Sequence, residues 1–86
     1  MKSWKEMIEK EMQENNDIWS NVISCTLSEK ELIKEFHEGF GLVEGEPFTV
    51  WTETRVYFPV CYDGNEWCGS VSRYPDGIAT NHMGGG

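Results

Sequence analysis

The sequence predicts an α+β fold in which two to three N-terminal helices pack on a three-stranded antiparallel β-meander. Two capping-box pairs in the first half are each followed by apolar residues at helical spacing. The second half changes to a period of two, in segments rich in aromatic and β-branched residues. The 86 residues leave room for one core. A single domain over 1–86 is therefore expected, with a helical half over 3–40, a meander over 48–74 and a flexible tail over 77–86.

The first helix is predicted over residues 4–14. Ser3 and Glu6 have the spacing of a capping box, in which the serine side chain accepts a hydrogen bond from a backbone N–H in the first helical turn. The apolar residues behind this pair recur every three or four positions, and they are Trp4, Met7, Ile8 and Met12. Asn15-Asn16-Asp17 then interrupts the pattern, which ends the helix.

A second, short helical segment is predicted after Asp17, which has a side chain suited to a helix N-cap. Four apolar residues share one face of this segment: Ile18, Trp19, Val22 and Ile23. An extended conformation over 22–27 fits the same residues equally well, so the sequence leaves both alternatives open.

The third helix is predicted over residues 29–38. Ser28 and Glu31 repeat the capping-box pattern. An apolar stripe follows, formed by Leu32, Ile33, Phe36 and Phe40. Gly39 and Gly41 are expected to end the helix, because glycine readily adopts the left-handed conformation found just beyond helix C-termini.

Three strands are predicted over 48–52, 55–62 and 67–74. The two turns between them are Glu53-Thr54 and the four residues 63–66, which contain an Asp-Gly pair typical of hairpins. Pairing Tyr62 with Trp67 across the second turn divides the side chains into two faces. The apolar face, predicted to meet the helices, consists of Val56, Phe58, Val60, Tyr62, Trp67, Gly69 and Val71. The other face, predicted to be an exposed docking surface, consists of Arg55, Tyr57, Pro59, Cys61, Cys68, Ser70, Ser72 and Tyr74.

The charge of the chain disfavours direct contact with nucleic acids and membranes. Fifteen acidic and seven basic side chains give a formal net charge of -8, which repels phosphate backbones and anionic lipids. Neither an apolar run long enough to cross a bilayer nor a hydrophobic signal core is present. A cytoplasmic location is therefore expected.

No catalytic, cofactor or metal site is predicted. The sequence lacks phosphate-binding, zinc-protease, serine-hydrolase and EF-hand motifs. Cys61 and Cys68 face each other in the predicted hairpin, and Cys25, His37 or His82 could complete a zinc site, but the tight ligand pairs typical of structural zinc are missing. Reduced thiols that pack as small apolar side chains are the favoured interpretation.

Four segments of the chain resemble a group of small uncharacterised phage-encoded proteins. They are 47–52 (PFTVWT), 55–64 (RVYFPVCYDG), 67–71 (WCGSV) and 4–8 (WKEMI), so the likeness extends over nearly the whole chain. Small phage accessory proteins often bind and disable a host enzyme, including restriction and CRISPR machinery. The resemblance therefore implies a protein of the host-cell cytoplasm whose partner is a host protein, with no site residues to carry over.

The leading hypothesis from the sequence is an acidic interaction protein, monomeric or homodimeric, that inhibits or modulates a host macromolecule such as a nucleic-acid-binding enzyme. Two surfaces are candidates for partner binding. Carboxylates of the third helix, Glu31, Glu35 and Glu38, are placed to meet a basic groove in competition with nucleic acid. Tyr57 and Tyr74 form an aromatic alternative on the sheet. The competing hypotheses are a zinc- or thiol-dependent module built on Cys61 and Cys68, and a minor virion or assembly protein.

Overall fold

The computed structural model describes residues 1–37 and 43–84, and it confirms the α+β class. In chain order the elements are β1 (Lys2–Ser3), α1 (Trp4–Glu14), a 3-10 turn (Trp19–Asn21), β2 (Val22–Cys25), α2 (Glu29–Ile33), β3 (Glu35–Phe36), β4 (Val50–Thr52), β5 (Arg55–Tyr62) and β6 (Asn65–Ser72). Within the described ranges, neither helix has the length and apolar character needed to cross a membrane.

Helix α1 forms where the sequence predicts it. The hydroxyl of Ser3 accepts a hydrogen bond from the backbone N–H of Glu6 at 3.3 Å, which caps the first turn. At the other end, the side-chain amide of Asn15 donates to the carbonyl of Glu11 at 2.8 Å. The predicted apolar stripe is the buried face of the helix: Trp4, Met7, Ile8 and Met12.

The segment after Asp17 is mainly extended, which was one of the two conformations compatible with the sequence. Only Trp19–Asn21 turns, as a single 3-10 turn, and residues 22–25 then form β2. This strand pairs antiparallel with β4, so the main sheet has four strands where the sequence predicts three.

The prediction of a long third helix over 29–38 is wrong. The capping box at Ser28 forms, but α2 spans only Glu29–Ile33 and Lys34 is extended. Residues 35–36 then form β3, which pairs with β1 and turns the Phe36 ring against Trp4, with ring centroids 5.1 Å apart. Burying this ring outweighs the local helical preference of the segment. The predicted helix end at Glu38, Gly39 and Gly41 lies outside the described residues.

The main sheet is antiparallel, with the strand order β2-β4-β5-β6. A two-residue turn, Asp63-Gly64, joins β5 to β6, and both residues have positive φ, 50° and 83°. Tyr62 therefore pairs with Asn65 instead of Trp67. The pairing moves by two residues, which leaves the same side chains together on each face.

The faces of the sheet are inverted relative to the prediction. Helix α1 packs on the face that carries Tyr57, Cys68 and Ser70, which are 0%, 4% and 3% exposed. The face predicted to be buried is the outer one, where Tyr62 is 51% and Trp67 39% exposed. The apolar pattern identifies the two sets of side chains correctly but predicts the wrong set as the core.

Trp4 lies at the centre of the core. Its ring meets those of Phe36 and Phe48, with centroids 5.1 and 4.7 Å away. Gly45 closes the space beside it, since a methyl group there would lie 2.6 Å from Cζ2 of Trp4. The loop before β4 can therefore lie against the tryptophan only with glycine at this position.

The chain after β6 returns across the outer face without regular structure. A methyl group at Gly69 would lie 2.9 Å from the sulfur of Met83, and one at Gly84 would lie 2.9 Å from the carbonyl oxygen of Cys61. Val60 lies beside both glycines, and it is 7% exposed although it belongs to the outer face.

Candidate binding surface on the outer face of the sheet

A buried carboxylate explains why the polar face of the sheet is turned inward. Asp17, 4% exposed, lies just beyond α1 and accepts hydrogen bonds from the Tyr57 hydroxyl at 2.7 Å and the Thr52 hydroxyl at 2.8 Å. Its other oxygen accepts from the side chain of Asn21 at 2.9 Å and the backbone of Ile18 at 3.0 Å. The hydroxyls that β4 and β5 direct inward, those of Thr52 and Tyr57, thus reach an acceptor from the helical half.

The same contacts fix the charge state of this cluster. Burial alone raises the pKa of Asp17, but the hydrogen bonds from Asn21, Tyr57 and Thr52 outweigh it and leave the pKa below its ordinary value. Burial, followed by the bond to Asp17, raises the pKa of Tyr57. The pair therefore consists of an ionised carboxylate and a neutral phenol. Their hydrogen bonds are made within the protein, so we interpret the pair as stabilising the fold.

A second polar contact joins α1 to β6. The hydroxyl of Ser70 donates to the carboxylate of Glu11 at 2.7 Å, and it accepts from Nε of Arg55 at 3.0 Å. Asn15 adds a longer contact to the same hydroxyl at 3.4 Å. Helix α1 is therefore attached to the sheet by hydrogen bonds as well as by its apolar stripe.

The outer side of the sheet carries two exposed aromatic side chains, Tyr62 and Trp67, together with half-buried apolar ones. The register places Trp51 opposite Val56, Val56 opposite Val71, and Val60 opposite Trp67, so alternate residues of three strands share this side. We call the following six residues the aromatic face: Trp51, Val56, Phe58, Tyr62, Trp67 and Val71. Tyr62 and Trp67 are exposed and the other four are half-buried. None of the six carries a charge at neutral pH.

Exposed carboxylates border the aromatic face in sequence. Glu53 lies in the β4–β5 turn, Asp63 in the β5–β6 turn beside Tyr62, and Asp76 in the turn after β6. The fourth acidic residue of the second half, Glu66, is 5% exposed, and its carboxylate accepts hydrogen bonds from the backbone of Glu44 and Gly45. We call Glu53 and Asp63, the two that directly follow strands carrying the face, the acidic rim.

The residues predicted to bind a partner lie in different surroundings. Tyr57 is fully buried, so its assignment to an exposed docking surface is wrong. Tyr74 is 60% exposed but lies beyond β6, where the guanidinium of Arg73 sits 5.6 Å from its ring centroid. Glu35 is exposed in β3, and Glu38 lies outside the described residues.

Glu31 is exposed, but its carboxylate is already engaged within α2. One oxygen accepts the backbone N–H of Ser28 at 2.9 Å as part of the capping box. Hydrogen bonds from the backbone and side chain of Ser28 lower the pKa of Glu31. The position of this carboxylate is therefore explained by helix capping.

The cysteines do not assemble a metal site within residues 1–37 and 43–84. Cys61 pairs with Glu66 and Cys68 with Pro59, so the two thiols are diagonal neighbours and do not face each other as predicted. No group of three or more His, Cys, Asp or Glu side chains in the described chain is placed to hold a metal ion. All three cysteines are free thiols.

Cys68 is expected to resist alkylation in the folded protein. Burial, together with the negative charge of Glu11, raises the pKa of its thiol to about 12. At pH 8 we expect its reaction with iodoacetamide to be at least about a hundredfold slower than that of Cys25 or Cys61, because the thiolate is the reactive form. Mass spectrometry of digested protein at timed intervals measures the three rates.

Denatured protein is the control for this measurement, since all three thiols are then expected to react at similar rates. Equal rates in the folded protein would contradict the burial of Cys68 on the inner face of β6.

No protein-family model, curated protein or solved structure matches this chain.

Proposed function

We propose that this protein is a non-catalytic binding module that docks on a partner protein through the aromatic face. The observation that carries the proposal is the inversion of the sheet. Its polar side chains are buried against α1, while two tryptophans, a phenylalanine and a tyrosine lie on the side away from the helices. An antiparallel sheet with one open face usually directs polar side chains to the solvent.

The composition of the aromatic face supports a protein interface. Tryptophan and tyrosine dominate the energetic centres of such interfaces, because each offers a large rigid surface with few side-chain rotations to restrict. Trp67 and Tyr62 are the most exposed members. Half-buried Trp51, Phe58 and Val71 extend the patch around them.

The charge of the molecule favours a protein over a nucleic acid as the partner. With a net charge of -8 and no lysine or arginine among the six residues of the face, phosphate groups are repelled. The resemblance to small phage-encoded accessory proteins adds a context in which the partner is a host protein. Inhibition of a host defence enzyme is the form of this function that fits both the charge and the resemblance.

Replacing Trp67 by serine is expected to weaken partner binding by at least about thirtyfold, which corresponds to the loss of a strong interface residue. The measurement is quantitative capture from host lysate by immobilised wild-type and variant protein, followed by titration with the purified partner. Trp67→Ser leaves the inner face intact, and equal thermal melting curves establish that the variant folds.

Tyr74→Ser is the matched control, because Tyr74 is an exposed aromatic residue outside the aromatic face. The control variant is expected to bind like the wild type. Retention of the partner by Trp67→Ser would contradict the proposal. Its loss on reversing the charges of Glu31 and Glu35 would then transfer the docking site to α2 and β3.

A further inference from the structure

We infer that the aromatic face binds arginine side chains, so that the partner presents an arginine-bearing protein surface. This inference rests on the proposed docking function and names the chemistry that the face recognises. It follows from the exposed rings of Tyr62 and Trp67, the carboxylates adjacent to the face in sequence and the charge of the whole chain.

Two rings of the aromatic face, those of Tyr62 and Trp67, are exposed to a cation from outside. Within the described residues, the chain places its own cations over rings elsewhere: Nζ of Lys5 lies 5.7 Å from the centroid of Trp19, and Arg73 lies over Tyr74. No lysine or arginine of this part of the chain lies over Trp51, Phe58, Tyr62 or Trp67. The electron-rich faces of aromatic rings, tryptophan above all, attract cations.

The acidic rim supplies the second part of an arginine site. Asp63 follows Tyr62 directly, and Glu53 is two residues beyond Trp51, so an exposed carboxylate accompanies an aromatic residue at each end of β5. A guanidinium group can stack on a ring while its N–H groups donate to a neighbouring carboxylate. The two contacts together use the planar shape of the guanidinium.

The nearby cations of this chain leave the rim carboxylates in excess. Arg55 is directed inward to Ser70, and Arg73 donates to the backbone carbonyl of Thr52 at 2.8 Å. Since the full chain carries a net charge of -8, its field also draws a basic surface towards it. Long-range attraction and local stacking thus select the same kind of partner.

Arginine is preferred to lysine at such a surface for a physical reason. The ammonium group of lysine is a compact, strongly hydrated charge, whereas the guanidinium is weakly hydrated and stacks on aromatic faces. Attraction to net charge alone does not distinguish the two residues. A preference for arginine that depends on the rings is therefore the diagnostic property.

The test compares a short peptide of alternating arginine and glycine with its lysine counterpart by isothermal titration calorimetry. Wild-type protein is expected to bind the arginine peptide at least about threefold more tightly. Trp67→Leu, which keeps an apolar side chain but removes the ring, is expected to abolish this difference. Tyr74→Leu, altered outside the face, is expected to preserve it.

A second comparison addresses the rim. Asp63→Asn is expected to weaken binding of the arginine peptide and to reduce its dependence on salt. Equal affinity for the two peptides, no binding of either, or an arginine preference that survives Trp67→Leu would overturn the inference. Tight binding of a single-stranded oligonucleotide that Trp67→Leu abolishes would also overturn it, by assigning the face to nucleic acid.

The two proposals fail separately. Suppose that Trp67→Ser loses the protein partner while the wild type binds the two peptides with equal affinity. Docking on the aromatic face is then supported, and arginine recognition is contradicted. If Trp67→Ser retains the partner, the docking function itself falls, whatever the peptides show.

Discussion

Replacing Asp17 by alanine is expected to lower the free energy of unfolding by about 3 kcal/mol, because the change removes the acceptor for several buried donors. The hydroxyls of Tyr57 and Thr52 both donate to one oxygen of Asp17, and Tyr57 and Thr52 are fully buried. Without the carboxylate, the Tyr57 hydroxyl loses its hydrogen-bond partner away from water. Urea denaturation at pH 7, followed by tryptophan fluorescence, measures the loss.

Tyr57→Phe is the control for this experiment, since it removes one donor and leaves the carboxylate with its remaining bonds. Its expected cost is about 1 kcal/mol. An Asp17→Ala variant that loses no more stability than Tyr57→Phe would show that the carboxylate does not organise the cluster.

The same carboxylate makes stability depend on pH in a direction that the structure fixes. Its folded-state pKa is lowered, so its contribution is complete above the unfolded-state pKa of about 3.9 and is lost as the pH falls through the lower folded-state value. Wild-type protein is expected to lose stability below about pH 4. Asp17→Asn, which cannot ionise at this position, is expected to lose less over the same range.

Replacing Trp4 by alanine is expected to lower the free energy of unfolding by about 4 kcal/mol, because a large buried ring is removed. Trp4 is 1% exposed and lies between Phe36, Phe48 and Gly45. Its removal leaves a cavity where α1 meets the loop before β4 and the β1–β3 pair. Thermal and chemical denaturation measure the change, and the variant is expected to be partly unfolded at 37 °C.

Trp4→Phe separates ring packing from any role of the indole N–H. That N–H is buried and has no hydrogen-bond partner among residues 1–37 and 43–84, so phenylalanine loses no hydrogen bond to this part of the chain. The expected cost is well below that of alanine, because an aromatic ring remains between Phe36 and Phe48. Equal losses for the two variants would indicate that the N–H makes a contact that the packing described above does not include.

The local elements were predictable where the chain decides them by itself. Helix α1 begins at its capping serine and ends at Asn15, and the Asp-Gly pair forms the tight turn of the hairpin. The predicted third helix is longer than α2, because the contact that ends α2 is made with a residue distant in sequence. Phe36 leaves the helical path to reach Trp4, a residue far away in sequence.

The candidate site shows the same division. Alternation along β5 and β6 assigned Trp67, Phe58 and Val71 to one side and Tyr57 to the other, and this grouping is confirmed. The predicted inner side is wrong, because burial in this sheet follows hydrogen-bond partners and not apolar character alone. Tyr57 and Ser70 are buried because Asp17 and Glu11 offer them acceptors.

The sequence by itself determined the class of fold, the first helix, the hairpin, the two sets of side chains on the sheet and the negative charge of the chain. Each of these depends on neighbours within a few positions or on a simple sum. Only the tertiary structure decided which set is buried, because that choice depends on hydrogen bonds between residues about 40 or more positions apart. The aromatic face is exposed as a consequence of those contacts.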